Sequence, residues 1–223
     1  DGTTGFLPDS LGKMSKLLKV PAVVLRLYGT FVAAPQWNKD EQYLPIMCEL
    51  ECVATAEEVK KLSADELNAR IHRAMQRDDY AYQREQGILL KNPRRANGLH
   101  NILYQCPHCG TEFKMESSGT RLWCTACGKG WQMTELSELV AEEGETEFSH
   151  IPDWMAWERQ NVRAEVRSGS YRFEDDVTVH TLPNAKRFYD QGMGRLIQTP
   201  EGTRLVCTAY GEPRELFWAG TEL

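Results

Sequence analysis

Four cysteines are the residues best equipped for chemistry in this chain. Cys106-Pro107-His108-Cys109 and Cys124-Thr125-Ala126-Cys127 are two C-x2-C pairs with fourteen residues between them. Each pair sets two thiolates on one tight turn, and two such turns complete a tetrahedral four-sulfur cage of the kind that holds structural zinc. Gly110 and Gly128 follow the second cysteine of each pair, where a metal-binding knuckle needs a residue that tolerates positive φ. Between the pairs, residues 111–116 and 120–123 read as strands, with Ser117-Ser118-Gly119 as the turn. Residues 103–133 are therefore predicted to form a zinc ribbon with Cys106, Cys109, Cys124 and Cys127 as ligands.

A cage with four protein ligands leaves no position for water, so its metal is expected to be structural rather than a Lewis acid. It would contribute on the order of 10 kcal/mol to a segment too small to hold a core alone. His108 is a substitute ligand by type, but four thiols already satisfy the ion. Thiolates also suit iron, with zinc the preferred metal.

The elements that must position this cage belong to a chain of 223 residues, enough for one large domain or two to three small ones. The longest apolar run, residues 20–25, is far short of a membrane span, and the opening residues carry no secretory signal. Cys48, Cys52 and Cys207 are expected as free thiols in a reducing cytoplasm, with Cys48 and Cys52 buried on one strand face. Charge is uneven: residues 134–223 carry 9 Lys+Arg against 17 Asp+Glu, a balance of −8, while residues 101–133 carry 3 against 2. The ribbon thus lacks the clustered cations that phosphate binding needs, and nucleic acid is not an expected partner. Lys91-Asn92-Pro93-Arg94-Arg95 is the one basic cluster. It would suit an anionic membrane surface, at about 1 kcal/mol per cation.

Along the chain, Asp9 or Ser10 is placed to cap a helix ending at Lys19, and residues 22–27 form an almost wholly apolar strand. Such a run after a helix predicts a strand covered on both faces in an α/β sheet. In residues 46–53, Ile46, Cys48, Leu50 and Cys52 alternate with Glu49 and Glu51, which predicts one dry and one wet face. Ser63-Ala64-Asp65-Glu66 is a capping box opening a helix through Leu67, Ile71 and Met75, and a second helix is expected from Tyr80 towards Leu90. Breakers at Asn92-Pro93 and Asn97-Gly98 set a boundary near residues 92–102. After the ribbon, Leu136, Leu139 and Val140 are expected on a short helix ending at Gly144, and Ser149 with Pro152 opens another carrying Trp154 and Trp157. The two tryptophans read as core, and the acidic runs 142–145 and 174–176 as solvated faces. Strands are expected at residues 171–182, 194–199 and 203–209, with a strand-like Leu216-Phe217-Trp218 before the end.

The stretch Ser10-Leu11-Gly12-Lys13, followed by Leu17-Leu18-Lys19-Val20-Pro21-Ala22-Val23-Val24 and preceded by Asp1-Gly2, resembles the 1-acylglycerol-3-phosphate (lysophospholipid) acyltransferases. In that family a phosphate-binding Pro-Glu-Gly-Thr-Arg block precedes a helix and a Val-Pro-led buried strand. The resemblance covers about 90 residues, up to the helix at Ser63, and the whole arrangement looks like a bacterial version with a C-terminal extension. It implies a membrane-associated enzyme of phospholipid biosynthesis, which moves an acyl group from a thioester carrier to a lysophospholipid.

The departures bear on the chemistry. The family's His-x4-Asp, in which histidine is the general base on the acceptor hydroxyl, is absent. Five positions after His72, His100, His108, His150 and His180 stand Arg77, Gln105, Phe113, Met155 and Ala185. The resemblance implies that the pair lies upstream of Asp1, and that the phosphate block survives here at most as Asp1-Gly2-Thr3-Thr4. Pro200-Glu201-Gly202-Thr203-Arg204 spells the block, but lies between strand-like segments and reads as a hairpin turn.

The expected architecture is α/β, a partial acyltransferase-type sheet with helices, then a zinc ribbon and a small β-rich α+β domain. Its parts are residues 1–95, 103–133 and 134–223. The chain alone is expected to be inactive, catalytic residues: none, and to lie in the cytoplasm, peripheral to the inner face of the membrane. The alternative function is a non-enzymatic zinc-ribbon adaptor binding protein or lipid.

Overall fold

The computed structural model describes residues 2–40 and 42–220; Asp1 and residues 221–223, on which part of the resemblance and the chain's end fall, lie outside the described residues. The fold is mixed α/β with three antiparallel sheets, one of two strands and two of four. It divides into two compact units, Asp1–Ala156 and Trp157–Leu223. Helix α6 (Ile151–Ser168) runs across the division.

In the first unit, α1 (Leu11–Leu18) ends at Lys19, whose N–H makes the last bond of the helix, to Ser15 O, before the backbone turns left-handed (φ 56°). Pro21 prevents any continuation. The helix lies along α4 (Ala64–Met75), where Gly12 N donates to Asn68 Oδ1 at 3.1 Å. The Lys16 ammonium donates to the carbonyls of Val59, Lys60 and Leu62, at the C-terminal end of α3 (Ala56–Lys61), where orphan carbonyls attract a cation. The predicted capping box at Ser63 and Glu66 is complete in both directions, and Thr55 with Glu58 forms a second one at α3. Leu67 and Val59 are fully buried with Ala54, and Ala22 and Leu62 pack against them. The helix after Tyr80 is shorter than expected: α5 (Asp79–Glu85) follows the short α2 (Thr30–Ala33) in the chain and is capped by Asp78.

The strand pair β1 (Ala22–Tyr28) and β2 (Met47–Ala54) corrects two expectations. The β1 run is not covered on both faces: Val24 is buried, but Val23, Leu25 and Leu27 are exposed. Glu49 and Glu51 do alternate with Cys48, Leu50 and Cys52 and are exposed as expected, but the apolar side is not dry. Leu25 sits opposite Leu50, Leu27 opposite Cys48 and Val23 opposite Cys52, so these apolar residues share one sheet face, and it is the bare one. Leu50 is 69% exposed, and Cys48 and Cys52 are exposed, not buried. The other face holds Arg26, which pairs with Glu49 and Glu51 at 3.0 and 2.7 Å and donates to Ala74 O of α4. An arginine with two carboxylates and a carbonyl can be covered by a helix, whereas the alternation alone does not say which side the helix takes.

Farther on, β3 (Met115–Ser118), β4 (Arg121–Cys124), β5 (Gly130–Met133) and β6 (Leu139–Ala141) form a meander in that order. The expected β3–β4 hairpin forms, but its turn is Gly119-Thr120, with Ser117 and Ser118 paired within β3. The short helix expected around Leu136 is absent. Thr134 Oγ1 takes the backbone N–H groups of Leu136 and Glu138, and Ser137 sits at φ 59°. That turn delivers Leu139–Ala141 to the open edge of β5, where three residues gain more from strand pairing than from one helical turn.

The second unit holds β7 (Phe173–Thr181), β8 (Tyr189–Thr199), β9 (Gly202–Ala209) and β10 (Glu212–Ala219), again an antiparallel meander. Pro200 and Glu201 form the β8–β9 turn, as the hairpin reading predicts. Gly202 is required there because a Cβ would collide with Trp218 O. The Arg204 side chain is engaged by Glu215 and lies over the Phe217 ring, so the Pro-Glu-Gly-Thr-Arg letters serve a sheet.

Candidate metal centre

The two knuckles are built alike. Gly110 N donates to Cys106 O at 2.8 Å with Gly110 at φ 73°, and Gly128 N donates to Cys124 O at 2.9 Å with Gly128 at φ 82°. Nothing lies near either glycine's missing Cβ, so positive φ rather than crowding selects them. Cys106 N bonds Thr111 O and Cys124 N bonds Lys129 O, closing each loop on the residue after its glycine. Thr125 ties the loops together through its N–H and hydroxyl, both donating to Lys114 O, at 2.7 and 3.0 Å.

All four sulfurs of Cys106, Cys109, Cys124 and Cys127 lie within 4.8 Å of one another. Cys106 and Cys124 are buried, Cys109 and Cys127 exposed, and none is disulfide-bonded. Two cross-knuckle distances, Cys106–Cys127 and Cys109–Cys124, are 3.8 Å. A tetrahedral ion with Zn–S bonds of about 2.3 Å needs sulfurs about 3.8 Å apart, whereas a disulfide needs about 2.05 Å. The cluster could hold a metal ion such as zinc. Hydrogen bonding with Thr111 holds the Cys109 thiol down to about 6, while burial pushes Cys106 and Cys127 up. Bringing a divalent cation to this cage therefore displaces protons from Cys106 and Cys127.

Around the cage lie residues that the motif does not announce. Glu147 Oε1 lies 2.7 Å from Lys129 Nζ and 3.3 Å from His108 Nδ1, and Trp131 Nε1 donates to Glu147 Oε2 at 3.3 Å. Burial works to raise the Glu147 carboxyl, but Lys129 holds it below the usual carboxylate range. His108 thus faces a carboxylate and not the sulfurs. Glu142, expected as part of a solvated run, takes a forked pair from Arg121 at 2.8 Å and a bond from Gln132. Trp131 is fully buried against Trp154, with ring centroids 5.0 Å apart, so Trp154 is core as expected. The signal for Glu147 was weak, since it stands twenty residues past Cys127 beside other acids.

The basic cluster is largely spoken for. Arg94 pairs with Asp40 at 2.9 Å, and Arg95 Nε donates to Met133 O at 2.8 Å, at the end of β5. The fold also makes one His–Asp pair that no spacing announces: His150 Nε2 lies 2.9 Å from Asp78 Oδ2. Its Nδ1 faces Arg84 at 3.3 Å, so both ring nitrogens are engaged and neither is open to take a substrate proton. No helix among the described residues is long and apolar enough to cross a membrane. Comparison with family models, with curated proteins and with solved structures finds no match for this chain.

Proposed function

We propose that the four-cysteine cluster holds a structural zinc ion, and that the chain is the distal part of a glycerolipid acyltransferase with a ribbon and a β-rich appendage attached. The observation that carries the acyltransferase reading is the bare apolar face of the β1–β2 pair. Val23, Leu25, Leu27 and Leu50 are exposed on a strand pair whose other face meets α4 through Arg26. A contiguous apolar sheet face of this kind belongs against another layer. The Val-Pro strand that resembles the acyltransferase family is the one that would be sandwiched there. In this reading the catalytic His-x4-Asp comes from the upstream half. The substrates are an acyl thioester and a lysophospholipid, and any contact with an anionic membrane surface draws little on Arg94, whose charge Asp40 takes.

The test is acyl transfer to lysophosphatidate by the longest natural polypeptide that contains this sequence, beside the 223-residue chain alone. Transfer by the longer protein, lost on replacing its upstream histidine, is the expected result, with none from the chain alone. Transfer by the chain alone that is lost in His72→Ala or His100→Ala would overturn the reading. A second reading, a non-enzymatic zinc-ribbon adaptor, draws support from the engaged ring nitrogens of His150. It predicts that no polypeptide containing this sequence transfers an acyl group.

A further inference from the structure

We propose that Glu147 is a positioning residue that latches the two cysteine knuckles together, so that metal retention depends on a carboxylate outside the ribbon motif. The inference rests on the zinc reading and adds a residue that controls the site. The knuckles enter from separate stretches of chain, and one side chain reaches both. Glu147 Oε1 is 3.3 Å from His108 Nδ1, inside the first knuckle, and 2.7 Å from Lys129 Nζ, just past the second. Its Oε2 accepts from Trp131 Nε1 of β5.

The latch is itself held. The Lys129 ammonium also donates to Glu145 O at 2.7 Å and lies 5.7 Å from the Trp131 ring centroid, and its side chain is only 11% exposed. Trp131 packs on Trp154, whose indole N–H donates at 3.0 Å to Gln105 O, the residue before Cys106. The segment from Glu145 to Trp154 is thus tied to residues flanking both knuckles. The charge balance fits. Four thiolates on one divalent ion carry a net charge of −2, and Lys129 is a nearby cation that Glu147 and Glu145 O fix in place. Removing the carboxylate leaves all four ligands present but frees His108 and Lys129 to move. Retention should therefore fall without any change in ligand number.

The experiment follows zinc release from the full chain to an excess of a chromogenic chelator, with cobalt substitution to read the ligand set. The wild-type chain should bind one ion, and its cobalt form should show intense thiolate-to-metal charge-transfer bands. Glu147→Ala should bind one ion with the same cobalt spectrum but release zinc about 10–100-fold faster, the range for lost outer-sphere partners. Glu147→Gln, which keeps the acceptor for Trp131 but not the charge, should fall between. His108→Phe, at an exposed position, tests the link to the first knuckle even if the Glu147 variants fail to fold, and should also speed release. A wild-type chain that binds no metal would sink the zinc reading and the latch together. One bound ion with release unchanged in Glu147→Ala, or in His108→Phe where Glu147→Ala does not fold, would overturn the latch alone.

Discussion

Two pairs of cysteines mark two regions that behave in opposite ways. In the ribbon, Cys106 and Cys124 are sealed inside a fold assembled by their own neighbours. On β2, Cys48 and Cys52 occupy an apolar face and remain open to solvent. Both patterns are plain in the sequence. The difference is that the ribbon carries all four ligands within one short stretch, whereas the β1–β2 pair leaves an apolar face uncovered. Apolar residues are buried in the first region and left exposed on one sheet face in the second.

The sharpest way to break that contrast is to remove the metal. Chelation, or Cys124→Ala, should unfold residues 104–133, since a structural zinc is worth on the order of 10 kcal/mol to such a segment. Hydrogen exchange should show those amides losing protection while α4 keeps its own. Equal loss in α4 would mean that the two regions do not differ in this way.

Core substitution comes next in size. Leu67 is fully buried with Val59 and Ala54, so Leu67→Ala should cost about 2–5 kcal/mol in urea unfolding. Leu25→Ser and Leu50→Ser, on the bare face, should stay within about 0.5 kcal/mol. A cost as large as that of Leu67→Ala would show that the face is covered in solution.

What the sequence made legible follows the same line. The cage, the Ser63–Glu66 box, the β3–β4 hairpin and the Pro200–Glu201 turn depend on spacing over a few residues, and all are present. The expected burial of Cys48 and Cys52 failed because alternation in one strand marks its two faces but does not supply a layer to cover the apolar one. The helix expected around Leu136 failed because two bonds to Thr134 Oγ1 outweigh one turn of apolar periodicity. Glu147, His150 and Asp78 were not legible as site neighbours, since their partners are distant in the chain.

Smaller effects probe the caps that frame the layered region. Ser63→Ala removes the acceptor for Glu66 N and should cost about 1 kcal/mol by denaturant unfolding. The smallest effect is a pH dependence. Glu58 is lowered from 4.5 to about 2, chiefly by the Thr55 N–H, with further help from Arg70. A carboxyl depressed in the folded state adds stability above its unfolded value, and loses it as pH falls through the folded one. Glu58→Gln should thus flatten the decline in melting temperature between about pH 4.5 and pH 2, while leaving the slope above pH 6 unchanged. An unchanged acid slope would show that the Thr55 box does not hold in solution.

X-ray absorption at the zinc edge, on chain purified without chelator, meets the central claim head on. One zinc per chain surrounded by four sulfurs at about 2.3 Å is the predicted result. No bound metal, or a shell containing nitrogen or oxygen in place of any of the four sulfurs, would contradict it.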